Sequence, residues 1–304
     1  MKIKPPKNFK NLDKPLSGDV RSEFMDFLLN RGYEFDSKKG LISDGSIGRA
    51  YINGDSKNKQ NGWYQLWLDQ EVPYGRVGDY RVSATEPTSV FRPENAEKWS
   101  DISPERKKEI KEETKQREQQ RKVEQEEHYK QGAARASKEW QLGVPCDKHP
   151  YLEKKNVCSY GLRVDKNGSL MIPIENQLGE IAGLQKIDGD GNKKIEYGSK
   201  KESNYFFIGK NLLDGCDRIN YVEGYATGAS YFADHNQPVV VCFDAYNLSN
   251  VAKVFFPFFK TKKHVFIADN DEKSQTGEKE AVKACQIIQE LKGQAEVLMP
   301  MSAG

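Results

Sequence analysis

The chain has 304 residues, enough for about two domains with substantial cores. Its charged fraction of 30% and mean hydropathy of −0.80 leave no apolar run of membrane-spanning length, and a net charge of only +2 requires any nucleic-acid surface to be local. The five cysteines contain no CxxC pair, which argues against a zinc ribbon and fits a reducing, cytoplasmic setting.

Residues 1–18 read as a basic, proline-punctuated arm without an apolar signal core. Residues 19–100 read as a small α+β domain. Phe24, Phe27 and Leu28 recur at helical spacing, and Gly32 ends the run. Apolar and polar residues then alternate through 42–52, 62–69 and 74–82, with Gly and Asn between them, as in a meander of strands. Trp63, Tyr64 and Trp67 have the chemistry to stack bases or to fill a core. Alternation sets Tyr64 on one face and the tryptophans on the other, so at most one set faces outward; a core role is favoured. Arg49, Lys57, Lys59 and Arg76 would meet phosphates if the outer face binds nucleic acid.

Residues 101–140 carry mixed charge at helical spacing and no proline after Pro104, which predicts one or two exposed helices linking domains. Apolar a and d positions are missing, which disfavours a coiled coil. Residues 141–215 read as a β-rich subdomain with strands over 168–176, 180–188, 193–198 and 204–209. Lys193, Lys194, Lys200 and Lys201 flank the hairpin predicted there.

Residues 216–304 carry a different pattern. Three apolar runs of strand length each end in an acid: Tyr221-Val222 before Glu223, Val239 to Phe243 before Asp244, and Val265 to Ala268 before Asp269 and Asp271. Helical stretches between them make this βαβαβ, with a parallel sheet covered on both faces. Ligands of such sheets bind outside the carboxyl ends of the strands, so the acids should converge on one rim. Carboxylates gathered there call for a hard cation, Mg²⁺ or Mn²⁺. Asp244 and Asn247 share that rim, with capping of the next helix as the alternative role. Residues 277–293 form an amphipathic helix and 295–300 a last strand.

The Glu-Gly of YVEGYATG and the Asp-x-Asp of IADND resemble the TOPRIM signature. EGYATGAS, FDAYNL and IADND are most similar to primases of conjugative plasmids and satellite phages, as are SDGSIGRAYINGD, NGWYQLWLD and HPYLEKKNV in the earlier domains. The resemblance implies that Glu223 is a general base or metal ligand, and that Asp269 and Asp271 hold the metal. It puts Lys186 and Lys194 in the places of basic residues near the active site, and gives Lys154 and Lys155 a motif position. It departs from the replicative primases at Ala226 and Thr227, where those carry a further acid, and in lacking the cysteines of their zinc-binding domain. The implied function is a DNA primase making short RNA primers from nucleoside triphosphates on single-stranded DNA. It would use a pair of Mg²⁺ or Mn²⁺ ions and no zinc, with a replicative helicase as a further partner and no membrane. A TOPRIM metal-dependent nuclease and a non-catalytic single-strand binder are the alternatives. Absence of the P-loop pattern GxxxxGK[ST] weighs against an ATPase-coupled nuclease. In the related primases the last strand leads into an Asp-rich loop, so the chain is expected to continue past Gly304.

Overall fold

The structure, a computed structural model, describes residues 17–34, 40–55, 60–68, 73–82, 86–93, 103–268 and 276–299. The chain divides into two compact units, Met1–Glu118 and Gln119–Gly304.

The first unit joins helix α1 (Ser17–Leu29) to a sheet of β1 (Tyr33–Glu34), β2 (Gly48–Ile52), β3 (Gly62–Trp67), β4 (Tyr74–Asp79) and β5 (Ser89–Phe91). The strands pair antiparallel in sequence order. Val20, Phe24 and Leu28 of α1 pack on Ala50, Tyr64, Leu66, Val77 and Phe91. Gly75 makes room for this: a Cβ there would lie 2.5 Å from the Phe24 ring. Tyr64 is therefore core, and the tryptophans lie on the other face, as alternation requires. Lys57 and Lys59 lie outside the described residues.

Helix α2 (Pro104–Leu142) is continuous over 39 residues. Its end belongs to the core of the second unit, where Ala136 and Trp140 pack on Met171 and Leu184. Gly132 lies so close to Gly198 that a Cβ on Gly132 would fall 2.0 Å from the Gly198 carbonyl oxygen. The domain boundary expected at 140 thus falls inside a packed helix.

A short helix, α3 (Pro150–Lys155), follows; its start is capped by His149, whose ring accepts from Tyr151 N at 3.2 Å. The next sheet contains β6 (Val144–Pro145), β7 (Arg163–Val164), β8 (Leu170–Glu175), β9 (Ile181–Ile187) and β10 (Lys193–Ile195), in the order β10-β9-β8-β7-β6 and antiparallel throughout.

The last sheet contains β11 (Phe206–Ile208), β12 (Arg218–Val222), β13 (Val239–Val241), β14 (Lys263–Ile267) and β15 (Gln294–Leu298), in the order β11-β13-β12-β14-β15. The last four are parallel, and β11 runs antiparallel to β13. Helices α4 (Tyr225–His235), α5 (Leu248–Phe255) and α6 (Thr276–Glu290) connect the parallel strands. One face packs on α5 and α6 through Leu248, Val251, Phe255, Ala281, Ala284 and Ile288. The other meets α4, α3 and the antiparallel sheet through Tyr225, Tyr151, Leu170, Ile172 and Ile187. Burial on both faces explains the apolar run of β13 and the apolar ends of β12 (Tyr221-Val222) and β14 (Val265–Ile267). Strand β11 lies outside the sheet expected for it, because Phe206 and Ile208 fill one core while Phe207 fills the other.

Candidate active site at the carboxyl ends of the parallel strands

Val222 pairs with Val241 on one side and Ile267 on the other. The chain leaves β12 for β13 on one flank, then returns past β12 to β14 on the other. The strand order therefore reverses at β12, and the crevice of such a sheet opens where it reverses. Glu223 is the first residue beyond β12 and is half-buried there. Asp269 and Asp271, which follow β14 in sequence, lie outside the described residues, whose last member on this side is the buried Ala268.

Gly224 forms the N-cap of α4. Gly228, one turn on, sits against the sheet: a Cβ there would lie 3.0 to 3.2 Å from Val222, Val241 and Val239. This close approach seats α4 directly behind the Glu223-Gly224 turn. Lys193, from β10, reaches into the same place. Its ammonium lies 3.7 Å from the position of a Cβ on Gly224 and 5.9 Å from the centre of the Tyr151 ring.

Asp244 caps the 3-10 turn Ala245–Asn247, with Oδ1 accepting from Tyr246 N at 2.8 Å. Its Oδ2 accepts from Lys201 Nζ at 2.5 Å, so both oxygens are engaged. Phe243, just before it, has φ of 68°, a left-handed conformation costly for a bulky residue and a mark of a constrained rim. Burial pushes the Cys242 thiol well above the ordinary value, and the charges of Glu223 and Asp244 push it the same way.

Asn247 is buried, and its amide clamps backbone. Nδ2 donates to the carbonyls of Cys242 at 2.9 Å, Asn204 at 3.0 Å and Lys201 at 3.1 Å. Oδ1 accepts from Ser203 N at 2.9 Å. These bonds hold the Lys201–Asn204 turn, and with it the Lys201 ammonium, beside Asp244.

Lys186 is enclosed by three carboxylates. It bonds Glu139 of α2, Asp165 at 3.0 Å and Glu196 at 2.9 Å. Burial disfavours its charge, but bonds to Glu139, Glu196 and Asp165 outweigh that and raise its pKa. For Asp165, burial would raise the carboxyl, yet the amides of Ser169 and Asn167 together with Lys186 hold it below the usual carboxylate range.

The sequence-predicted residues thus separate. Glu223 and Asp244 share the rim. Lys194, one position along β10 from Lys193, is exposed and pairs in register with Lys186. Lys154 and Lys155 are exposed in the last turn of α3, where cations favour the helix C-terminus. At the rim stand Lys193 and Lys201, two of the four hairpin-flanking lysines, while Lys186 lies in the carboxylate cluster with Lys194 beside it. Strand alternation was the available signal for Lys193, since it must point opposite to Lys194.

All the described rim donors are oxygens and the single nearby sulfur is buried, a set that fits a hard divalent cation. Among the described residues no three potential ligands cluster closely enough to form a complete metal site. Together these features define an α/β core with a mostly parallel sheet, faced by a lysine-bearing antiparallel sheet.

Comparison with known proteins finds similarity to DNA primases. The chain is 28% identical over 238 residues to a DNA primase TraC of Escherichia coli, covering 77% of this chain and 22% of that protein. It is 28% identical over 234 residues to a second Escherichia coli DNA primase TraC, covering 76% of this chain and 16% of that protein. It therefore spans about a fifth of the length of these relatives (22% and 16%). No protein-family model matches it. Among solved structures, it aligns with the primase fragment of the bacteriophage T7 primase-helicase protein at a TM-score of 0.42 and 20% identity, over 53% of this chain and 69% of that one. It aligns with the zinc-binding and RNA polymerase domains of the Aquifex aeolicus primase at a TM-score of 0.43 and 12% identity, over 95% of this chain and 78% of that one.

Proposed function

We propose that the chain is a DNA primase core that joins nucleotides into short RNA primers on single-stranded DNA. The observation that carries this reading is Glu223, set at the switch point of the parallel sheet with the Lys193 ammonium over the adjoining Gly224. Acids and lysines on one rim answer the two needs of phosphoryl transfer: ligands for a cation, and positive charge for polyanionic template and triphosphate.

In this reading Glu223, Asp269 and Asp271 would hold a pair of Mg²⁺ or Mn²⁺ ions, with Asp244 beside them. Such ions lower the pKa of a 3′-hydroxyl and neutralise phosphate oxygens. Glu223 accepts the hydroxyl proton as the 3′-oxygen bonds the α-phosphorus of the incoming triphosphate. Pyrophosphate leaves toward Lys193 and Lys201. Asn247 positions Lys201. Lys186 keeps the antiparallel sheet and α2 in place behind Lys194 and Lys193, and Lys154 and Lys155 extend the positive surface toward the template. This reading also gives the chain a replicative helicase as partner and a cytoplasmic location; no described helix is long and apolar enough to cross a membrane.

The test is template-dependent incorporation of labelled nucleoside triphosphates on single-stranded DNA with Mg²⁺ or Mn²⁺. Short products that vanish with Glu223→Gln, Asp269→Asn and Asp271→Asn are expected. Metal-dependent degradation of the template without products would replace this reading with the nuclease.

A further inference from the structure

The outward face of the first unit's sheet is built from arginines laid over aromatic rings. Arg49, Trp63 and Gly78 stand abreast on β2, β3 and β4; Gln65, Arg76 and Val90 form the next row on β3, β4 and β5. Trp67 and Tyr74 form the third, with Arg92 immediately beyond β5. The Arg49 guanidinium lies 4.0 Å from the centre of the Tyr80 ring, and that of Arg92 lies 4.8 Å from Tyr74. Arg76 lies between Trp63 at 5.8 Å and Trp67 at 5.5 Å. Trp67 and Tyr74 stack with centroids 4.4 Å apart.

These groups are held in place before any ligand arrives. Gln65 Oε1 accepts from Arg76 Nε at 2.6 Å, and Gln65 Nε2 donates to the Gly45 carbonyl at 2.8 Å. Gly45 itself fits under the Trp67 indole, since a Cβ there would lie 2.0 Å from Nε1. Within β2 to β5 the outward positions carry no carboxylate; Asp44, bridged to Trp67, stands at the end of the third row, and Glu34 at the far edge on β1. A face needed only for stability would gain from paired charges. This one keeps its guanidinium planes flat, cationic and partly open.

We propose that this face binds single-stranded nucleic acid, with bases stacking on the Trp67–Tyr74 pair and on the arginine planes, and phosphates meeting Arg49, Arg76 and Arg92. Successive rows are about 6.8 Å apart, two residues of antiparallel strand. That is roughly twice the ~3.4 Å rise per phosphate along one strand of a duplex, so the face matches an extended, unstacked strand. The site lies wholly within the first unit and needs no metal. It stands or falls separately from the acid rim.

The test uses the full chain and a fluorescein-labelled 15-mer of dT, with a 15-mer of rU and a 15-bp duplex in parallel, read by fluorescence anisotropy across salt concentrations. Arg49 and Arg92 are exposed, so Arg49→Ser/Arg92→Ser should fold normally. It should bind the preferred single strand at least tenfold more weakly and lower the salt slope by about 1.4, two phosphate contacts at ~0.7 each. Trp67→Phe, which keeps the packing, should weaken binding with little change in slope. Hydrogen exchange at 62–67 and 74–79 should slow when the strand binds. The same losses are expected in a Glu223→Gln background, which keeps this result independent of the rim. Unchanged affinity and exchange with both single strands, or equal affinity for the duplex, would overturn the proposal and leave the face as a protein-docking surface.

Discussion

Lys193 and Gly224 meet across two sheets, the ammonium of one lying 3.7 Å from where a Cβ on the other would stand. The pairing brings the antiparallel sheet's charge to the carboxyl end of β12. Lys193→Ala is therefore expected to lower primer synthesis by about 10- to 100-fold, in line with loss of one well-placed donor to developing charge. Lys194→Ala, on the opposite face of β10, should cost much less. Steady-state incorporation and thermal melting of both variants make the comparison; Lys193→Ala should leave the melting temperature unchanged.

Lys186 has the opposite profile. Removing it leaves Glu139, Asp165 and Glu196 facing one another without their cation. Lys186→Met should destabilise the second unit by about 3 kcal/mol, as for other partly buried charges deprived of a partner. Adding Glu139→Gln should recover part of that loss, because one of the three repelling carboxylates is gone. Urea unfolding of the single and double variants decides this. Equal midpoints for wild type and Lys186→Met would contradict it.

Asn247→Ala should cost about 2–3 kcal/mol, since it strips hydrogen bonds from three carbonyls and one amide in a buried turn. Synthesis should fall as well, because Lys201 loses its fixed place beside Asp244. Asn247→Asp keeps the acceptor for Ser203 but sets a buried carboxylate oxygen against three carbonyls, and should melt at or below the alanine variant.

His264 gives a pH dependence. It is buried, with Nδ1 2.8 Å from the Tyr221 hydroxyl and Nε2 3.2 Å from the Phe259 carbonyl. Neutral imidazole with the proton on Nε2 satisfies both bonds. Burial lowers its pKa below the ordinary 6.5, only partly offset by the bond to Phe259. The unfolded chain then binds the proton more readily than the folded one. The stability this group contributes is whole above about pH 6.5 and is lost as pH falls through the lowered folded value. Melting temperature should decline from pH 7 to 5, and His264→Gln should flatten that decline.

Much of the second unit was legible in the sequence, because strands buried on both faces write themselves as apolar runs, and the turns after them must carry whatever the rim uses. The positions of Glu223 and Asp244 just beyond β12 and β13 were legible that way. The placement of the lysines was not. Lys186 and Lys193 sit in equally polar stretches, and only the register of β10 on β9, which is tertiary information, tells which one turns toward Gly224. Asn247 had the same ambiguity, since a cap and a clamp leave the same trace in a sequence. The packed end of α2 was hidden for another reason: Ala136 and Gly132 bury against the sheet through smallness, which weakens the apolar signal that usually marks a buried helix face.

Strand β11 is short, yet Tyr205 just before it exchanges hydrogen bonds with Glu175 of the antiparallel sheet at 2.7 and 3.0 Å while β11 itself pairs with β13. One continuous stretch of backbone thus stitches the two sheets of the second unit together, and Phe206 and Ile208 of that stretch share a core with Ile172 and Ile187. Neither sheet can fray without stripping the other. The two should therefore melt in a single cooperative step, and a protease should find no stable fragment that keeps the acids while discarding the lysines.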